Sequence, residues 1–491
     1  MVCLFLIFIQ NKYFAVSLKK FKMIKKIIVK GSFILALLAL ASCSKNQARI
    51  TNINIGTHSN NELKIQIDVT TSDDAQVYAE YWSEKKGIKS KISSPISKTG
   101  LSHSLVLCNI TPETNYNFQL VTIKGQQKDS SKIYNFKSRS LPEWLQKQFK
   151  ANCPKPELLP ETFKKGFMLL AKRETPGVAY IVDYKGNLRW YHTVEGTGFK
   201  VAHFTKDQTI ISILGKNDEP TSYGSEILEI NLQGDTLMHI KKGQGDLKQV
   251  IHHEILKKSA NEIVTITVDQ KIMDLTSIGG KKNDTINGDG ILIMDKKGKQ
   301  LWKWSVFDDL DPLKDKALLK TKKDWTHANS LNYDKDGNFL ISFYNNGQIW
   351  KVDSKTGKVI WKLGKDGNMK MAAETNFSQA HAAHINEEGS LMFFDNGVDK
   401  KQSSVFALKV DEKGKTVKLD FHINLPRDIY NDRMGSAYMV DKDAILVCCS
   451  KRHITVLTNK KGVLLWALES EIPPYRTQFI PEENMKPFLL N

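Results

Sequence analysis

Cysteine is scarce, six residues in a chain of 491, and none of them forms a Cys-x-x-C or a Cys/His cluster at metal-ligand spacing. Neither a thiol redox centre nor a zinc module therefore organises the chain, and no resident metal is expected. Besides Cys3 and Cys43 there are Cys108, Cys153, Cys448 and Cys449. The adjacent Cys448 and Cys449 point to opposite faces of a strand, so spacing assigns no disulfide and buried free thiols are the expectation. Acidic residues also run short, 53 against 71 Lys and Arg, for a formal charge of +18. Seven of those lysines fall in residues 1–43, which hold no Asp, Glu or Arg, leaving +11 for the remainder. That excess suits anionic ligands or acidic lipid. Nucleic acid is not expected, because the lysines sit mostly in hairpin turns and no recognition-helix pattern appears.

The apolar run Phe33–Leu40 is too short to span a bilayer, and Lys25, Lys26 and Lys30 precede it, so residues 1–43 read as an export signal with Met23 a candidate start. The run ends in Leu40-Ala41-Ser42-Cys43, which resembles the lipobox of bacterial lipoproteins. Lipidation of Cys43 would give an exported protein, anchored to a membrane through its N-terminal lipid and facing the periplasm or the cell surface.

What is present in quantity is a repeated hairpin: a strand, an Asp or Asn turn, a Gly, and a second strand usually carrying Trp. It occurs six times, as in Ile181-Val-Asp-Tyr-Lys-Gly-Asn-Leu-Arg-Trp190 and Thr455-Val-Leu-Thr-Asn-Lys-Lys-Gly-Val-Leu-Leu-Trp466. Anchored at Asp183, Asn231, Asp295, Asp353, Asp411 and Asn459, the steps are 48, 64, 58, 58 and 48 residues. Such a period predicts an all-β, six-bladed β-propeller over residues 167–491, including a C-terminal tail; one closing strand could come from the far end of the chain.

Ahead of it, residues 44–140 alternate apolar and polar in short runs such as Leu63–Val69 and Val77–Trp82, with polar turns between them, which predicts a small N-terminal β-sandwich. Ile110–Leu120 and Tyr134–Ser138 resemble the late strands of a fibronectin type III domain. Residues 141–166, broken by Pro142, Pro154, Pro156 and Pro160, read as a linker laid along the propeller.

Four of the twelve histidines, His203, His253, His327 and His381, each precede an apolar strand of a repeat. If that strand lines the channel, all four crowd one cavity mouth. Imidazole there could be nucleophile, general acid or base, oxyanion donor or metal ligand, and matching carboxylates or second thiolates for a metal are lacking. A cluster of such donors suits a sulfuryl or phosphoryl group, whose equatorial oxygens gather charge in the transition state.

Asp324-Trp-Thr-His-Ala-Asn-Ser-Leu-Asn-Tyr-Asp334 with Ile341-Ser342, then Gln379-Ala-His-Ala-Ala383 leading to Phe394-Asp-Asn-Gly397, then Arg433-Met-Gly-Ser-Ala437, resemble the bacterial arylsulfate sulfotransferases. These are exported six-bladed propellers with an N-terminal sandwich that need no nucleotide sulfate donor. The resemblance implies ping-pong transfer of a sulfuryl group from a phenolic sulfate ester to a phenol acceptor through a sulfohistidine, without a cofactor. By position it maps the nucleophile to His381, and the groups that hold sulfate oxygens and handle the phenol proton to His253 and His327. His252 is the alternative to His253, although Glu254 matches the acidic residue that follows the family's His. Asn329 and Arg433 in the matched segments join His252 and Tyr344 as substrate-binding candidates, and Tyr344, Phe377 and Tyr438 as candidate aromatic walls. One departure stands out: where the family carries an Arg, this chain has Phe343-Tyr344-Asn345, leaving Arg433, Arg452 or Lys400 to supply the charge. The alternative reading is a non-catalytic propeller lipoprotein that binds an anionic ligand or partner; a quinoprotein-like propeller would need cofactor and calcium ligands that are not found.

Overall fold

The computed structural model describes residues 47–58, 61–220 and 222–489. The export signal and Cys43 lie outside the described residues. From Phe167 onward six antiparallel sheets follow one another, making a six-bladed β-propeller. The innermost strands of blades two to six are Gly198–Phe204, Ile251–Ser259, Ala328–Tyr333, Ala380–Ile385 and Ser436–Asp441. Each touches the next around the axis.

Blade one has no such strand at its own start. Its inner position is filled by Gln478–Ile480, which pairs antiparallel with Phe167–Leu169. The ring is thus closed by the far end of the chain, and Tyr475 and Arg476 are carried to the axis with it.

The repeated hairpin works as its residues suggest. Asp183 Oδ1 accepts from the backbone N–H groups of Lys185 and Asn187, and Gly186 takes φ 80°; Asp295 does the same for Lys297 and Lys299, with Gly298 at φ 81°. An Asx turn followed by a left-handed Gly reverses the chain between the third and fourth strands. The recurrent Trp has a second task. The indole N–H of Trp190 donates to Leu232 O (2.7 Å), that of Trp302 to Lys355 O (3.2 Å) and that of Trp466 to Tyr184 O (2.6 Å). Each acceptor is in the hairpin turn of the following blade, so one repeated residue fills a blade and staples it to its neighbour.

The N-terminal sheets depart from the expected run-and-turn pattern. Leu63–Val69 and Val77–Trp82 belong to one strand, Asn61–Ser83, that passes through both sheets. Its first half pairs with Ile50–His58 and Gly100–Leu107, its second with Asn115–Lys124, and the register breaks between Thr70 and Ala75. The polar residues between the two runs are a bend in a shared strand, which local alternation alone cannot distinguish from a turn. This unit docks on blade one, where Asn61 Nδ2 donates to Tyr191 O (2.8 Å) and Lys64 Nζ lies 4.9 Å from the Trp190 ring. Within the Pro-rich stretch, Phe149–Asn152 adds to Leu464–Ser470 as a fifth strand of blade six. Cys108, Cys153, Cys448 and Cys449 are all free thiols.

Candidate active site

The inner strands of blades three to six begin irregularly. His253 (φ 60°), His327 (φ 52°), Ala382 (φ 54°) and Met434 (φ 63°) all take the left-handed conformation that L residues avoid. Bulges follow at His252/Ile255, Ala328/Ser330 and His381/His384. Such strain, about 1–3 kcal/mol per residue, clusters at functional sites. Here it aims side chains at the channel mouth that a regular strand would alternate away from it.

Three of the four histidines meet there. The rings of His253 and His327 lie 4.9 Å apart, and Tyr344 packs its ring against both His327 (5.6 Å) and His381 (5.7 Å). A cavity of about 780 Å³ opens over His253 and His327, with Tyr223 and Asp324 also in its lining. His381 is deeper, 2% exposed. His203 is not with them. It falls near the end of its strand instead of the start, bonds Glu254 Oε1 through Nε2 (2.5 Å), and lines a separate cavity of about 740 Å³ with Tyr333, Tyr438 and Arg476. Spacing from the hairpins could not reveal this, because the loops between hairpin and inner strand differ in length.

His381 is held in one tautomer. Asn396 Nδ2 donates to Asn431 O (2.6 Å) and Met434 O (2.9 Å), so its Oδ1 is the atom facing His381 Nδ1 at 2.6 Å. Nδ1 therefore carries the proton and Nε2 keeps its lone pair. Burial, reinforced by the charges of His327 and Arg476, pushes the His381 imidazole down to about 3. It is neutral throughout the physiological range. His253 is driven well below its ordinary value for the same reasons, burial first and then His252, His327, His381 and Arg476.

His327 goes the other way. Burial works against its charge, but the 2.5 Å bond from Nδ1 to Asp324 Oδ2, with the charges of Asp324 and Asp289, outweighs it and raises the pKa. Tyr223 donates to the other oxygen of Asp324 (3.3 Å). Neighbouring imidazoles displaced in opposite directions set a group that resists a proton beside one that holds it more tightly than usual.

The remaining candidates separate. Asn329 is fully buried, its Nδ2 on Ala380 O (2.9 Å) and its Oδ1 accepting from Ser342, so it braces two inner strands away from the cavity surface. Arg433 is exposed on the rim beside Asp432 (3.6 Å). Arg452 donates to Tyr430 O. Phe377 packs on Phe393 (4.7 Å) within the blade-five core, and Tyr438 lies against His384 (5.0 Å) on the side of the other cavity. His252 is fully buried behind His253.

The central cation comes from a residue that sequence reasoning passed over. Arg476 is buried, with Nη1 on Glu254 and Nη2 on Asn329 O (2.9 Å), and its guanidinium lies 5.1 Å from the Tyr475 ring. A signal existed: only the first repeat lacks an inner strand, so one had to arrive from the tail, bringing the residues before it to the axis. Arg173 is also buried, with Nη1 on the Met434 sulfur (3.1 Å) and no carboxylate partner among the described residues. As for metals, the described residues contain one acidic trio at ligand spacing, Asp334, Asp336 and Glu412, and the Lys351 ammonium bonds all three.

The model of the arylsulfotransferase (ASST) family matches residues 154–464, which takes in most of the propeller and every residue of the histidine cluster but stops short of the closing strand Gln478–Ile480. The chain belongs to that family. Arylsulfate sulfotransferase AssT of Lelliottia amnigena is 22% identical over 314 residues, covering 49% of this chain. The chain spans about half, 51%, of that curated relative's length. Among solved structures, a Bacteroides caccae protein of unknown function is 11% identical over 64% of this chain and 98% of its own, with a TM-score of 0.43. The β-propeller domain of Cps50 (Swd1) from Myceliophteria thermophila is 12% identical over 65% and 84%, with a TM-score of 0.37.

Proposed function

We propose that this arylsulfotransferase-family protein moves a sulfuryl group from a phenolic sulfate ester to a phenol by way of a sulfohistidine at His381. The observation that carries the reading is the pairing of a neutral His381, its Nε2 lone pair held free by Asn396, with His327, whose proton Asp324 stabilises, across the Tyr344 ring. In the first half-reaction Nε2 attacks sulfur, the S–O bond to the aryl group breaks, and the leaving phenolate takes the proton of His327. In the second the acceptor phenol returns a proton to His327, its oxygen attacks sulfur, and the S–N bond breaks. Holding the group covalently divides one transfer into two matched ones and conserves the ester's bond energy. On this reading His253, which lines the cavity, holds sulfate oxygens, with Arg476 adding field. The N-terminal sequence adds export and a lipid anchor at Cys43 to this proposal.

Tyr344, standing where the resemblance places an Arg, favours a second reading: a propeller that binds an anionic ligand without turning it over. Incubation with 4-nitrophenyl sulfate and phenol separates the two. Release of nitrophenol that requires phenol supports transfer; ester binding with no release supports the second.

The charge of His327 should also be visible. Activity that needs its proton is full below its pKa and lost as pH rises through it. Asp324→Asn removes what holds that pKa up, so the falling alkaline limb of kcat should move to lower pH and kcat at neutral pH should drop by about 10²–10⁴-fold. An alkaline limb left in place would assign the proton to another group.

A further inference from the structure

His252 and His253 are consecutive, and in a regular strand their rings would face opposite sides of the sheet. The bulge after His252 and the left-handed φ of His253 bring them together, with Nδ1 of one 2.6 Å from Nδ1 of the other and the rings nearly perpendicular at 85°. Behind them is a carboxylate. Asp289, 3% exposed, accepts on Oδ2 from the Thr326 hydroxyl and from Ala328 N (2.9 Å), and presents Oδ1 to His252 Nε2 at 3.2 Å. That last approach is out of line for a proper hydrogen bond, and Nε2 of this fully buried ring has no other partner. The result is a row, Asp289–His252–His253, that reaches the cavity at His253.

Protons on the row can be counted. Two neutral imidazoles carry one N–H each. The Nδ1–Nδ1 contact needs one of them, which leaves a single proton for two claimants: the Asp289 carboxylate at one end and an anion in the cavity at the other. While the cavity holds no anion, one proton suffices. When a sulfate ester arrives, one end must go without a donor unless a further proton is added.

We infer that binding of an aryl sulfate is coupled to uptake of one proton from solvent onto the His252–His253 pair, so that His252 Nε2–H serves Asp289 and His253 Nε2–H serves a sulfate oxygen. The inference rests on the reading of this mouth as a sulfate-ester site. The net charge balances: the ester brings one negative charge and the pair takes up one positive. The groups facing the pair explain why uptake waits for the anion. His327 and the Arg476 guanidinium oppose a further cation at His253, the Tyr475 ring lies beside it at 5.9 Å, and the Tyr223 ring covers His252 at 4.9 Å. Asp289, and Asp324 through its charge on His252, favour it. On this account His252 and Asp289 are positioning residues, acting through His253.

The test is calorimetric, on the full chain carrying His381→Ala so that binding is separated from transfer. Titrating 4-nitrophenyl sulfate at pH 7.5 in buffers of different ionisation heat gives the number of protons taken up, expected to be about one per ester bound. Adding His252→Phe should bring the number close to zero. Asp289→Asn should do the same while leaving affinity largely intact, because a neutral amide can donate to His252 and release the single proton to the cavity. A brace that merely supported the fold would not separate proton count from affinity in this way. Binding without proton uptake, or uptake unchanged by His252→Phe, overturns the coupling and leaves the sulfotransferase reading standing. If the ester does not bind and the unsubstituted protein releases no nitrophenol, both fall together.

Discussion

Replacing His381 with alanine is expected to reduce sulfuryl transfer from 4-nitrophenyl sulfate to phenol by roughly 10⁴-fold or more, since loss of a nucleophile that acts as part of a unit removes nearly all catalysis that passes through it. The folding cost should be small by comparison. The ring is buried, but its one polar bond is to Asn396 Oδ1, and the Asn396 side chain stays anchored through Nδ2 on two backbone carbonyls, so the loss is limited to one acceptor without a donor, about 1–3 kcal/mol, and the space the ring leaves. Steady-state rates paired with a thermal melt check the claim: near-native melting with abolished transfer identifies a reacting group. Rapid donor cleavage by the alanine variant would move the nucleophile to another ring. Asn396→Ala offers a graded companion, because it frees the tautomer of His381 without removing the ring.

The largest effect on stability should come from Arg476. Its guanidinium and the Glu254 carboxylate are 5% and 1% exposed, and they form an ion pair on the propeller axis that also ties His203 on one side and Asn329 O on the other. Arg476→Met leaves Glu254 charged, buried and unpaired except for His203, and breaking such a pair from one side costs about 3–5 kcal/mol. The strand that closes the ring, Gln478–Ile480, begins two residues later, so the melt should report opening at the junction of blades one and six. Glu254→Gln combined with Arg476→Met should recover much of the loss, because neutral partners of similar shape avoid the stranded charge. An additive double variant would show that the two groups do not depend on each other. The pH dependence has a defined sign. Burial raises the Glu254 carboxyl, but Arg476 and His203 overcome this and lower it. Its contribution is therefore present above the ordinary carboxylate range, near pH 4.3, and is lost as pH falls through the depressed value.

The two sites of large effect differ in how far they could be read in advance. His381 and His327 stand in segments whose residues resemble a family, and their blades were countable from the Asp-to-Gly turns at positions such as Asp183–Gly186 and Asp295–Gly298. Asn396 and Asp324 stand in the same quoted segments, yet nothing in them says that one fixes a tautomer and the other raises a pKa. Arg476 is more than 200 residues from Glu254 and stands in a tail with no motif.

A propeller's architecture is local information repeated: turn chemistry, strand alternation and a Trp at fixed offset depend on neighbours within a few residues, so six blades and the inward-facing strand of five of them were legible from the chain alone. What lies at the axis is decided elsewhere. Whether His203 joins the cluster or faces the opposite cavity, whether His252 and His253 diverge or touch, and which cation is carried to the axis all depend on bulges, loop lengths and the last strand's insertion. These set positions to within an ångström or two, and hydrogen bonds and proton affinities vary steeply over that distance, whereas hydrophobic alternation does not register it.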